Sequence, residues 1–278
     1  MQRICLIIVI ILAKFCFSVP AQISSEQIPK LNNNLSKNKA ENDATVMRVD
    51  DFLSAAGVTG GVLIAKDRKV ILRKGYGWAD EKRKIPMTTR TVFDIGSITK
   101  QFTGAAILKL EEQGKLKVTD SITKFFKDVP VDKQNITVHQ LLTHTAGFEH
   151  DAIKRGEHPP RDEAVRRFLA SKLKLKPGEK YSYSNIGFSL LAAIVEIASN
   201  MPYENYLHEN LWKPAGMLKT GNIIPRFKKE EMAQGYDTPE NYRSLKGEWD
   251  KDGISWRFRG AGGLLSTLED LYLWHLAL

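Results

Sequence analysis

The strongest constraint on the fold is a change of apolar period at Gly96. Upstream, Val92-Phe93-Asp94-Ile95 is a short β-rich run, and downstream Phe102, Ala105, Ala106, Leu108 and Leu110 recur at helical spacing until Gly114. Apolar residues three and four apart share one face of a helix, and a glycine just past the end supplies the left-handed cap. The sequence therefore predicts a strand, a tight turn at Gly96 and one amphipathic helix from Ser97 to Gln113. Such a junction holds Ser97 at the opening of a helix whose inner face needs a core.

The flanks supply that core. Val46, Val49, Phe52 and Leu53 predict a helix closed by Gly57, and Gly61–Ala65 and Val70–Arg73 predict two strands joined by Lys66-Asp67-Arg68-Lys69. A lone hairpin is unstable in water, and no upstream run offers it a strand, so its partners are expected from the C-terminal side. A helix-rich stretch continues to about Trp212, without an internal repeat. Ser266-Thr267-Leu268-Glu269-Asp270 reads as a capped helix start, after which the apolar pattern runs to Leu278 with no stop. The chain is therefore expected to be truncated. The predicted fold class is α/β (α+β), an antiparallel sheet flanked by helices with an inserted helical subdomain and with its C-terminal strands missing.

Residues 1–21 read as a secretory signal peptide: Met1-Gln2-Arg3 is basic, Ile4 to Ala13 is unbroken and apolar, and Val19-Pro20-Ala21 offers a small residue at the break. The run falls short of the ~20 residues of a membrane span, so the expected location is secreted or periplasmic, an N-terminal anchor being the alternative. Residues 22–44, polar and centred on Asn32-Asn33-Asn34, read as a disordered linker, leaving 45–278 as the folded domain. Losing Arg3 and Lys14 would take the net charge from +9 to +7. An exported basic chain excludes nucleic acid as the expected partner and suits loose association with anionic cell-envelope polymers. Cys5 and Cys16 both fall in the leader, so a processed chain would have no disulfide, thiol nucleophile or cysteine metal ligand.

Serine needs a base within hydrogen-bond reach to act as a nucleophile. Ser97-Ile98-Thr99-Lys100 offers one: residues three apart share a helix face, the helix N-terminus favours a developing oxyanion, and a buried lysine can lose its proton. The spacing also occurs at Ser36–Lys39, Ser121–Lys124 and Ser171–Lys174. Ser36 lies in the linker, Ser121 follows Asp120 in an exposed first turn, and Ser171 sits among Lys172 and Lys174 on an expected wet surface. Only Ser97 follows a strand and a glycine and opens a long apolar helix, the setting of other serine nucleophiles.

Phe93-Asp94-Ile95-Gly96-Ser97-Ile98-Thr99-Lys100 resembles the first motif of the serine β-lactamase and penicillin-binding-protein family, in its class C, esterase and D-aminopeptidase branch. Leu141-Leu142-Thr143-His144-Thr145-Ala146-Gly147 resembles a structural loop of that branch, with Ala146 where serine is more usual. Tyr183-Ser184-Asn185 resembles the second motif, and Pro214-Ala215-Gly216-Met217 and Gly260–Thr267 resemble two later landmarks. The resemblance implies that Ser97 attacks a carbonyl, Lys100 takes or steers its proton, Tyr183 passes a proton to the leaving group and Asn185 orients the substrate amide. It further implies a small-molecule or cell-wall peptide substrate (a β-lactam, a D-amino-acid peptide or a small ester) and no cofactor. A non-catalytic envelope-binding protein on the same fold, or an inactive truncated fragment, is the alternative.

Lys219-Thr220-Gly221 matches the third motif literally. It comes before the Gly260 landmark, and Asn222-Ile223-Ile224-Pro225 interrupts any strand, so the true third motif is expected beyond Leu278. His139, His144, His150, His158, His208 and His275 form no metal-binding pair, and His144 reads as a loop-packing residue. Trp212, Trp256 and Trp274 read as core or pocket wall.

Overall fold

The computed structural model describes residues 44–235, 249–250 and 253–278, with 5–12 and 250 described in backbone alone. These fall into two compact units, one drawn from residues 1–91 and 230–241, the other from 92–229 and 242–278.

The first unit contains β1 (Cys5–Leu12), helix α1 (44–55), β2 (Thr59–Lys66), β3 (Lys69–Tyr76), β4 (Trp78–Asp80) and β5 (Ile85–Pro86). Val46, Val49 and Leu53 of α1 pack on Val62, Ile64, Leu72 and Tyr76 of the hairpin. Phe52, expected on that face, is 69% exposed. At about 100° per residue it points well away from Leu53 and Val46, and the inner face is full without it. Gly57 at φ +64 ends α1, with Val58 N–H on the Leu53 carbonyl and Gly57 N–H on that of Ser54. Those bonds satisfy two carbonyls that the helix end would leave open. The hairpin turns through Asp67 and Arg68, both at positive φ, the geometry whose twist matches the flanking strands. Tyr76 OH donates to Asp50 Oδ1 at 2.8 Å and Lys74 Nζ to the same carboxylate, tying α1 to β3.

One expectation changes here. The hairpin does have an upstream partner, since β1 runs parallel to β2 from Cys5 opposite Thr59 to Leu12 opposite Lys66. The short strand Leu265–Ser266 pairs with Phe93–Asp94. The physical reason is edge satisfaction: the open side of β2 carries unpaired N–H and C=O groups, and an apolar β-branched run can pair with them. The remainder of the predicted leader, its cleavage point and linker residues 22–43 lie outside the described residues.

The second unit contains β6 (Phe93–Asp94), a 3₁₀ turn (Gly96–Ile98), α2 (Thr99–Glu112), α3 (Val138–Leu142), α4 (Arg161–Ala170), α5 (Asn185–Ser199), α6 (Tyr203–Leu207), β7 (Trp249–Asp250), β8 (Gly253–Ile254), β9 (Leu265–Ser266) and α7 (Leu268–Ala277). Buried from Asn185 through Val195, α5 is the central element, packed by α2, α3, α4 and α6. A helix apolar all round needs such a jacket. The helix predicted from Ser97 begins properly at Thr99, because Gly96 at φ +50 first turns the chain through the 3₁₀ segment. Phe102, Ala106, Ile107 and Leu110 form its inner face, while Leu108, expected inside, is 56% exposed. Leu108 lies a full 100° step from Ile107, which takes the inward position. Trp212 and Trp274 both pack on Phe102, with ring centroids 5.9 and 4.7 Å away, as core residues.

Pairing of β6 with β9 and of Ile95 N–H with the Leu264 carbonyl draws residues 260–266 alongside the Gly96 turn. Thr267 caps α7 by accepting Asp270 N–H, as the sequence predicts. Thr220 is fully buried, bonded to Ser266 Oγ and Asp270 Oδ2, so Lys219-Thr220-Gly221 serves as a packing tie here.

Candidate active site

Four side chains singled out from the sequence, Ser97, Lys100, Tyr183 and Asn185, meet in the second unit. Gly96 supplies the positive φ that starts the turn, and its N–H is held by Asp94 Oδ1 at 2.9 Å. Ser97 is thereby placed, exposed, in the opening turn, where backbone N–H groups lack intrahelical partners. One turn on, Lys100 is 8% exposed.

Lys100 Nζ donates to the Ala261 carbonyl at 2.5 Å, to Asn185 Oδ1 at 3.0 Å and to Ser97 Oγ at 3.4 Å. It also lies 4.6 Å from the Tyr183 ring centroid and 5.5 Å from that of Phe188. Uncharged oxygens and ring faces replace water here, and no carboxylate touches the amine among these bonds. Burial brings its pKa down to about 8, the Asp151 charge opposing the fall. An amine with that pKa has a usable neutral fraction near pH 7, which an exposed lysine lacks.

Tyr183 OH lies 2.7 Å from Ser97 Oγ. Its position is set by the entry to α5: Ser184 caps the helix by accepting Gly187 N–H and donates to the Glu149 carbonyl at 2.6 Å. Ser184 N–H in turn donates to His144 Nδ1 at 3.1 Å, and Ser182 N–H to the His144 carbonyl. His144, itself at φ +56, stacks on Tyr183 with centroids 4.5 Å apart. Burial, helped by the Lys100 charge, brings the imidazole down to about 4, so it stands neutral with Nδ1 as acceptor and Nε2 carrying the proton. It packs a loop, as its sequence reading holds, and the surface it packs is the ring of Tyr183.

Two of the competing Ser–Lys pairs are elsewhere. Ser121 Oγ caps a 3₁₀ turn and donates to the Gln134 carbonyl, with Lys124 on Asp120, and Ser171 Oγ donates to Phe168 O. Ser36 lies outside the described residues.

Several participants carry no usable local signature. The Ala261 acceptor is a backbone carbonyl, hinted at only by the glycines around it. His150, Asp151 and Arg257 gather on the far side of Asn185, whose Nδ2 lies 3.4 Å from both His150 Nε2 and Asp151 Oδ1. Among the described residues no three His, Cys, Asp or Glu side chains cluster as metal ligands. Ser97 Oγ thus has an amine and a phenol within hydrogen-bond reach.

The chain matches the Beta-lactamase family model over residues 47–278. It is 32% identical over 216 residues to PbpX of Bacillus subtilis (strain 168), which carries the name of a penicillin-binding protein, covering 77% of this chain and 54% of that one. The chain thus spans about half the length of the curated relatives it matches. In structure it is similar to FmtA from Staphylococcus aureus, with a TM-score of 0.73 at 24% identity over 83% of this chain and 63% of FmtA, a likeness of fold. It is also similar to a beta-lactamase/D-alanine carboxypeptidase from Yersinia pestis, with a TM-score of 0.60 at 26% identity over 74% of this chain and 59% of that one.

Proposed function

The chain belongs to the beta-lactamase family and has its serine-hydrolase fold, and from that premise we propose that it hydrolyses an amide or ester through an acyl-enzyme on Ser97. The observation that carries the proposal is the double contact of Ser97 Oγ, with Tyr183 OH at 2.7 Å and Lys100 Nζ at 3.4 Å, the lysine being held near pH 8.

Neutral Lys100, directly or through Tyr183, accepts the Ser97 proton as Oγ bonds to the substrate carbonyl carbon. The oxyanion faces the Ser97 N–H at the opening of the turn, a stabilisation that is usually large in acyl transfer. Tyr183 returns the proton to the leaving nitrogen or oxygen as that bond breaks, leaving an ester on Ser97. Water then attacks the ester, giving its proton back through the same pair, and the acid departs. Asn185 Oδ1 holds Lys100 in line, and its amide is available to a substrate amide. The candidate substrates are D-amino-acid amides and peptides of the cell wall, β-lactams and small esters. The name of the Yersinia neighbour supports the first two.

The test is covalent labelling of the purified protein with a fluorescent penicillin and a fluorophosphonate. Labelling abolished by Ser97→Ala and retained by Ser121→Ala is expected. Folded protein that takes up neither probe would replace this reading with that of an envelope-binding protein.

A further inference from the structure

Beyond Asn185 a second layer of polar groups has been assigned no part in the chemistry. His150 Nδ1 lies 2.9 Å from Asp151 Oδ2, and Arg257 approaches the same oxygen at 3.3 Å. The Asn185 amide nitrogen is shared between His150 Nε2 and Asp151 Oδ1, each at 3.4 Å. These contacts agree on one proton arrangement: His150 donates from Nδ1 to Asp151 and accepts at Nε2, so the Asn185 nitrogen must face them. Its oxygen then has only one direction left, toward Lys100 Nζ at 3.0 Å. The Asn185 backbone N–H is held as well, on the His150 carbonyl at 3.2 Å.

We propose that Asp151, braced by His150 and Arg257, is a positioning residue that locks the Asn185 amide so that its carbonyl aligns Lys100 on Ser97. An amide side chain turned over would present N–H₂ to the lysine and push it off the serine. Asp151 does this without touching Ser97, and its carboxylate is also the acidic charge felt by Lys100. The other polar groups recorded against the amine are Ser97 Oγ, the Tyr183 ring, Asn185 Oδ1, the Ala261 carbonyl and, through its charge, His144, while His150 and Arg257 face Asp151. None of them is acidic, so the charge and the lock reside in one residue.

The inference rests on the acyl-enzyme reading, and its test separates the two. Asp151→Asn keeps an acceptor oxygen and removes the charge, while Asp151→Ala removes both. The first readout is the pH dependence of Lys100 acetylation by acetic anhydride, followed by mass spectrometry in the full chain, which needs no substrate. The Lys100 midpoint is expected near 8 in the unmodified protein and lower in both variants. The second readout is the rate of Ser97 labelling. Its acid limb should move to lower pH in Asp151→Asn, and its plateau should fall roughly tenfold or more in Asp151→Ala, where the amide is free to turn. Thermal melts establish that both variants fold. A wild-type Lys100 midpoint in both variants, or a wild-type plateau in Asp151→Ala, overturns the proposal. Labelling that survives Ser97→Ala overturns the acyl-enzyme reading instead, with the Lys100 titration still reporting on Asp151.

Discussion

Ser97–Lys100 and Ser121–Lys124 share a spacing and differ in everything around it. Lys124 is half exposed and paired with Asp120 at 2.6 Å, and the Ser121 hydroxyl is spent on capping its turn and on the Gln134 carbonyl. Lys100 is buried, its partners are uncharged oxygens, and Ser97 stands exposed beside Tyr183. Lys124 stays in water beside a carboxylate, whereas burial of Lys100 penalises its ammonium form. A serine and a lysine three apart are therefore only a candidate nucleophile, and burial of the amine without a carboxylate in direct contact is what sets this pair apart.

The largest expected effect is on labelling: Ser97→Ala should eliminate it and Ser121→Ala should leave its rate unchanged, as read by in-gel fluorescence. A loss in Ser121→Ala would break the comparison. Next, Lys100→Met should slow labelling on the order of 10²–10⁴-fold, the usual range for losing a general base, while Lys124→Met should not alter it. Tyr183→Phe sharpens the contrast further, since a drop of about 10²-fold would assign proton transfer to the phenol as well as the amine.

The pH dependence follows from the same burial. Labelling should rise to a plateau as pH passes about 8, where Lys100 loses its proton. Stability has the matching sign. The folded pKa lies below the unfolded value of 10.5, so between about 8 and 10.5 the unfolded chain binds more protons, and stability climbs with pH across that window. Melting temperatures recorded across it should show the climb in the unmodified protein and lack it in Lys100→Met. The smallest effect belongs to the other pair: Ser121→Ala removes a cap and should cost about 1 kcal/mol in denaturant unfolding, with catalysis untouched.

Much of the site was legible because short-range rules carry it. The strand, glycine and helix around Ser97 are a period change visible in 20-odd residues, and the caps at Gly57 and Thr267 and the hairpin turn follow from local backbone chemistry. Tyr183 and Asn185 were found through a family likeness, because nothing local distinguishes them from ordinary residues before a helix. Phe52 and Leu108 were misplaced where a loose apolar pattern allowed two faces and packing chose the other. His150, Asp151 and Arg257 left no signal that spacing could reveal.

What the sequence by itself determined is the menu: the helix that Ser97 opens, the lysine one turn along, the α/β mixture and four chemically possible Ser–Lys pairs. Local context already set Ser97–Lys100 apart from the others, and tertiary structure alone decided what surrounds that pair. It brought the Ala261 carbonyl and the Asn185 amide to Lys100 across 161 and 85 positions of chain, and set Asp151 behind them. Local conformation depends on neighbours within a turn or two, whereas desolvation and hydrogen-bond alignment depend on whatever the folded chain packs into the same few ångströms.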